Sequence, residues 1–147
     1  NVLFHGEALN GLTGVTGISA NAIAATTLTA PPPAQWMLLP PRAQWLTDPM
    51  AIDAAFQLMI LWGVERHGSP NLPVALGKYR QFRRQFPAGE VRIVARITNS
   101  AGPMIRADIE WLDADGRLIA RLEQGEFVGD AKLAAAFRRN RLATTTV

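Results

Sequence analysis

A 19-residue stretch, Pro49 to His67, constrains the fold more than any other part of this 147-residue chain. Asp48 can cap a helix there, and Pro49 suits its first turn, where no backbone N–H is needed. Gly68 followed by Pro70 stops it. Arg66 and His67 stand near the C-terminus, where cations complement the helix dipole. Its middle, Ala-Ile-Asp-Ala-Ala-Phe-Gln-Leu-Met-Ile-Leu-Trp, is apolar on nearly every side. A helix of that kind is expected to be buried, so the rest of the chain must wrap it.

Extended segments surround it in sequence. Residues 1–15 are glycine-rich and read as irregular. Residues 16–29 are small and partly β-branched and predict one strand. Five prolines between residues 31 and 41 forbid a regular helix or a central strand in 30–47. Trp36, Met37, Leu38, Leu39 and Trp45 suggest that this excursion packs down onto the body. After the helix, residues 74–86 form a candidate strand. Residues 91–98 alternate, with Val91, Ile93, Ala95 and Ile97 on one face. Asn99 to Pro103 read as a turn. Ile105, Ala107, Ile109 and Trp111 line one face of 104–112. Asp113 to Gly116 make a hairpin turn, and 117–128 the last strand. The expected class is α+β, a curved antiparallel sheet around one long buried helix. Its expected extent is 1–130, with 131–147 a basic helix or linker in which Arg138, Arg139 and Arg141 are linker charge.

Bulk properties remove several function classes. Hydrophobic residues make up 48% of the chain and charged residues 18%, enough apolar material for one packed domain. The net charge of +3 favours acidic partners but does not by itself argue for nucleic acid. There is no cysteine, which removes disulfides, thiolate nucleophiles and cysteine-bound metals. No segment is apolar for the roughly 20 residues of a membrane span. A cytoplasmic location is expected. The start, Asn-Val-Leu-Phe, lacks an initiator methionine and a signal-peptide pattern and reads as part of a longer polypeptide. Neither a phosphate-binding glycine loop, nor Gly-x-Ser-x-Gly, nor metal-ligand spacing is found, so no cofactor and no metal are expected.

The chemical anomaly lies inside the apolar helix. Asp53 and Gln57 are its only interior polar residues. They stand four apart, so they project from one face and can touch. A carboxylate and an amide buried together cost several kcal/mol unless satisfied (about 2–7 for an unpartnered polar group). Burial should also push an acid toward its protonated form, which suits general-acid chemistry. The plainer alternative is that Asp53 accepts nearby backbone hydrogen bonds while Gln57 bridges to a loop. The run Lys78-Tyr-Arg-Gln-Phe-Arg-Arg84 is a solvated strand face or, alternatively, a docking site for an acidic carrier protein or its phosphate. His67 is read as a helix-end histidine.

The segment Asp48-Pro-Met-Ala-Ile-Asp53-Ala-Ala-Phe-Gln57 is similar to the aspartate motif of the second hotdog in polyketide synthase dehydratases. Upstream, Leu3-Phe4-His5-Gly6-Glu7-Ala-Leu9 resembles the aromatic-His-Gly-Pro stretch that opens that half-domain. Leu72-Pro73-Val74 fits the strand after the helix. The order and separation match, and the resemblance covers nearly the whole chain. Glu7 stands where the family usually has proline, and Asp48 where histidine is common.

This resemblance implies the C-terminal half of a double-hotdog dehydratase, from a synthase making polyketides or polyunsaturated fatty acids. It implies that Asp53 is the acid protonating a departing β-hydroxyl and that Gln57 orients it. Phe4, His5, Gly6, Phe56 and Pro73 are the expected substrate-lining residues, with His5 structural or on the rim. The acyl chain would arrive on the phosphopantetheine of an acyl carrier protein. The family's base is a histidine in a His-x-x-x-Gly-x-x-x-x-Pro motif. The chain's two histidines are His5 and His67, followed four residues later by Leu9 and Asn71, so neither matches. The base is expected from a preceding hotdog half. A homodimer mate, as in a self-sufficient hydratase or thioesterase, is one alternative, and a non-catalytic acyl-binding or scaffolding domain is another.

Overall fold

The computed structural model describes residues 3 and 5–139. In chain order the elements are β1 (Leu12–Ile18), β2 (Ala22–Leu28), α1 (Pro49–His67), β3 (Asn71–Ala75), β4 (Lys78–Gln81), β5 (Glu90–Ala101), β6 (Met104–Leu112), β7 (Leu118–Gly129) and α2 (Ala131–Arg139). Short 3-10 turns lie at Glu7–Leu9 and Pro33–Gln35. The strands form one antiparallel sheet in the order β1-β2-β5-β6-β7-β3, with β4 also paired to β7. The sheet packs around α1, the expected hotdog arrangement.

α1 starts and stops where its sequence directs. The Asp48 side chain accepts from Ala51 N at 2.8 Å, and Gly68 closes the helix at φ 69°. Ala51, Ala54 and Ala55 are fully buried, and such small side chains let the sheet come close. Against them lie Ile23 and Ala25 of β2, Ile93 and Ala95 of β5, Ile109 and Trp111 of β6, and Leu122 and Phe127 of β7. The inward residues of β5 and β6 are those that the alternation predicts. Three side chains stitch the helix in place. Trp111 Nε1 donates to Ala51 O (2.8 Å), Asn71 Nδ2 to Met59 O (2.7 Å) and Trp62 Nε1 to Ser19 O (3.1 Å).

The structure departs from the sequence reading in five places. The single strand expected over 16–29 is a hairpin, β1 and β2, turning at Ser19–Asn21, where Ser19 N donates to Ala22 O at 2.8 Å. β1 takes in the glycine-rich segment because it is an exposed edge strand with two register shifts and has little packing to satisfy. The strand expected over 74–86 is broken, and β3 begins earlier. At the break, Gly77 lies so close to β7 that a Cβ would sit 2.7 Å from Glu123 O. Opposite it, β7 bulges, with Gln124 at φ 56° and its N–H held by Asp108 Oδ1 at 2.8 Å. The turn expected from Asn99 is confined to Gly102-Pro103, because β5 stays paired with β6 through Ala101. The proline-rich excursion packs down through Trp36 and Trp45, whose rings are 5.7 Å apart, but Leu38 and Leu39 are 97% and 88% exposed. Finally, α1 is not buried all round, for Asp53, Glu65, Arg66 and His67 reach solvent to different degrees.

Candidate functional site

The polar face of α1 is organised by its own first two turns. Asp48 is 5% exposed and caps the helix, while its two oxygens also accept from Ala30 N at 3.1 and 2.9 Å. Burial raises its pKa, and the backbone N–H groups of Ala51, Ala30 and Met50 pull the other way. The carboxylate thus ties the segment leaving β2 to the helix start and fixes the turn that carries Asp53.

Gln57 is fully buried beneath Asp53. Its Nε2 donates to Asp53 Oδ2 and to Leu9 O, each at 2.7 Å. Both partners are acceptors, so the amide orientation is set by the network. Oε1 of the same amide is buried with no hydrogen-bond partner among the described residues. The bond to Leu9 reaches the segment before β1, which lies against α1. Gly11 makes that approach possible, since a Cβ there would meet Met50 Cγ at 2.6 Å and Thr27 Oγ1 at 2.8 Å. The same segment brings His5 Nε2 to 3.3 Å from Asp53 Oδ2. The His5 side chain is 9% exposed and that of Asp53 28%. Asp53 is therefore at the edge of the packed interior, not in the dry setting that the apolar helix suggested. Oδ2 takes the contacts with Gln57 and His5, and Oδ1 has no hydrogen bond among the described residues.

The other residues singled out in the sequence fall at different distances from this cluster. Phe56 points to the next face of α1, 6.2 Å between ring centroids from Phe127. It lines an apolar cleft of about 240 Å³ with Thr47, Ile52, Leu76, Tyr79, Trp111 and Leu122. Pro73 is half-buried in β3, opposite Phe127 in register. Gly6 is exposed, with open space where a Cβ would stand, and Phe4 lies outside the described residues. His67 Nε2 contacts Ser100 Oγ at 2.9 Å at the far end of the helix. In the basic run, Arg80 pairs with Glu123 and Arg83 with Asp113, each at 2.6 Å.

Sequence reasoning missed the clasp that shapes the cleft. Thr47 Oγ1 lies 2.6 Å from both Tyr79 Oη and Gln81 Oε1, and Gln81 Nε2 donates to Leu46 O at 3.0 Å. This clasp joins the proline-rich excursion to β4, and burial holds the Tyr79 phenol above its usual pKa. The available signal was the position of Thr47, directly before the helix cap.

Among the described residues no helix is long and apolar enough to cross a membrane. Comparison with curated proteins gave no match. Solved structures with this fold include the dehydratase domain of RzxB from Pseudomonas fluorescens (19% identity, TM-score 0.67), covering 84% of this chain and 42% of that one. The dehydratase domain of a mycocerosic acid synthase-like polyketide synthase is 24% identical with TM-score 0.67, covering 88% of this chain and 45% of that one. A trans-acyltransferase polyketide synthase enoyl-isomerase is 15% identical with TM-score 0.65, covering 83% and 46%. The chain therefore spans less than half the length of these solved chains. At these identities the likeness establishes the hotdog fold. The family model described as "Polyketide synthase dehydratase N-terminal domain" matches residues 2–128. With that match over most of its length, the chain belongs to the polyketide synthase dehydratase family.

Proposed function

We propose that this chain is the acid-bearing hotdog of a dehydratase that removes water from a β-hydroxyacyl thioester carried by an acyl carrier protein. The observation behind it is the Asp53–Gln57 pair, an acid held by a buried amide on one face of the central helix. The family description names an N-terminal domain. Assignment to the second, C-terminal hotdog rests on this pair and on the lack of a His-x-x-x-Gly-x-x-x-x-Pro motif in the sequence.

In this reading a histidine of the preceding hotdog takes the α-proton. Asp53 gives a proton from Oδ1, its oxygen without a hydrogen bond among the described residues, to the β-hydroxyl. The C–O bond breaks, water leaves and the α,β double bond forms. Gln57 keeps Oδ2 turned inward, so that Oδ1 faces the substrate. The reaction needs no metal or bound cofactor, and the phosphopantetheine belongs to the carrier. Phe56 and the apolar cleft beside it offer a path for the acyl chain. The protein acts in the cytoplasm as part of a multienzyme synthase.

A second reading has its own observation. His5 and Asp53 lie 3.3 Å apart, so one hotdog holds both a basic and an acidic group. That arrangement fits a self-sufficient hydratase or thioesterase working as a homodimer. The dehydratase reading is tested with a β-hydroxyacyl carrier substrate and the chain joined to a histidine-bearing first hotdog. Water elimination is expected, and Gln57→Leu is expected to lower kcat by roughly 10²-fold with KM little changed, because the acid is then misplaced. An inactive wild type that still binds the acyl carrier would replace this reading with the non-catalytic one.

A further inference from the structure

Two surface segments of this chain carry positive charge and no acid of their own. Residues 29–47 and 74–89 contain Arg42, Lys78, Arg80, Arg83 and Arg84 but neither aspartate nor glutamate. Glu123 and Asp113, from β7 and the β6–β7 turn, pair with Arg80 and Arg83. Arg42 and Arg84 have no ion pair among the described residues. They face one cleft of about 290 Å³, together with Gln44, Trp45, Leu46 and Gln85.

The cleft is held in shape from both sides. Gln81 Nε2 donates to Leu46 O (3.0 Å), Arg83 O (2.9 Å) and Arg84 O (3.2 Å), binding the two segments together. The Gln85 and Gln44 side chains bond to each other. Trp45 Nε1 donates to Pro31 O at 2.7 Å. The arginines are therefore displayed on a fixed scaffold, and side-chain ordering is the chief entropic cost left for a partner. Leu46 is 72% exposed at the same cleft, and Leu38 and Leu39 are exposed on the same excursion. Unpaired arginines next to exposed apolar side chains make a surface suited to an acidic protein with some apolar contact. The next residue, Thr47, already lines the apolar cleft beside Phe56.

We propose that the Arg42–Arg84 cleft docks the acidic face of the carrier protein that brings the thioester, a partner that rests on the dehydratase reading above. Charge steering sets the encounter, and the Leu46–Thr47 ridge connects the docking cleft to the apolar one.

The test titrates a polyketide synthase acyl carrier protein, with its phosphopantetheine attached, into the chain and into the variant Arg42→Glu/Arg84→Glu. The expected result is a Kd at least tenfold weaker in the variant, and wild-type binding that weakens as salt rises. Both arginines are exposed, so the melting temperature should not change. An equal Kd in the two proteins, or binding indifferent to salt, overturns the proposal. So does binding by anionic vesicles or oligonucleotides that is lost in the variant while no carrier binds. Dehydration of a free β-hydroxyacyl thioester by the chain joined to a histidine-bearing first hotdog separates the two ideas. A joined wild type that dehydrates it yet binds the carrier independently of the arginines loses only the docking site. One that binds the carrier through them yet dehydrates neither substrate loses only the dehydratase reading.

Discussion

Replacing Asp53 by asparagine is expected to lower the dehydration rate by about 10²–10⁴-fold, the usual contribution of a positioned general acid. Asparagine has the same shape and still offers an oxygen to Gln57 Nε2, so the helix face is kept. What it lacks is a transferable proton. Asp53 is partly open to solvent, its side chain 28% exposed. Stability is therefore expected to change by less than about 1 kcal/mol, the ordinary range for a surface substitution. Acyl binding should persist, because the neighbouring apolar cleft is lined by other side chains. Single-turnover kinetics with circular dichroism on the same samples checks all three. A variant that keeps its full rate removes Asp53 from the chemistry.

The largest stability effect is expected at Trp111. It is fully buried in β6, and its indole donates to Ala51 O in the first turn of α1. Tyr79 and Phe86 meet its ring edge-on, at centroid distances of 6.0 and 6.4 Å. Trp111→Ala opens a cavity between sheet and helix and is expected to cost about 3–5 kcal/mol. That corresponds to a melting temperature lower by roughly 10 °C or more. Because Tyr79 and Trp111 share the apolar cleft, acyl binding should weaken along with stability. Trp111→Phe, which keeps most of the volume, should lose much less. Thermal unfolding of the two variants decides it, and a loss below about 1 kcal/mol for alanine would mean that the sheet does not lean on this ring.

What was legible in the sequence follows from how local its causes are. α1 was readable because Asp48, Pro49 and Gly68 act within a few residues of themselves. β5 and β6 were readable because each buries one face, so alternate residues repeat. β1 was not, since an edge strand with mostly exposed residues has no such pattern. The break between β3 and β4 was hidden for a different reason. Its cause is a bulge at Gln124, which a reading of residues 74–86 alone does not contain.

The candidate site divides the same way. The contact of Asp53 with Gln57 follows from helical spacing. The second anchor, Leu9 O, lies 48 residues from Gln57, and the approach of His5 depends on the passage that Gly11 allows. The arginine cleft joins Arg84, from the basic run that the sequence already shows, to Arg42 of the proline-rich excursion, and the Gln81 clasp that brings the two segments together is a long-range contact. The apolar excursion was misjudged at Leu38 and Leu39 because hydrophobicity alone does not say which side chains find a surface to cover.

In the proposed reaction this hotdog supplies the acid and a histidine comes from another. That division of roles is tested most directly by following water elimination from a β-hydroxyacyl carrier substrate, with the chain alone and with the chain joined to a histidine-bearing first hotdog. Turnover is expected only in the joined protein, lost there when that histidine is replaced. Comparable turnover by the chain alone, abolished by His5→Phe, would contradict it and make His5 and Asp53 a self-contained acid–base pair.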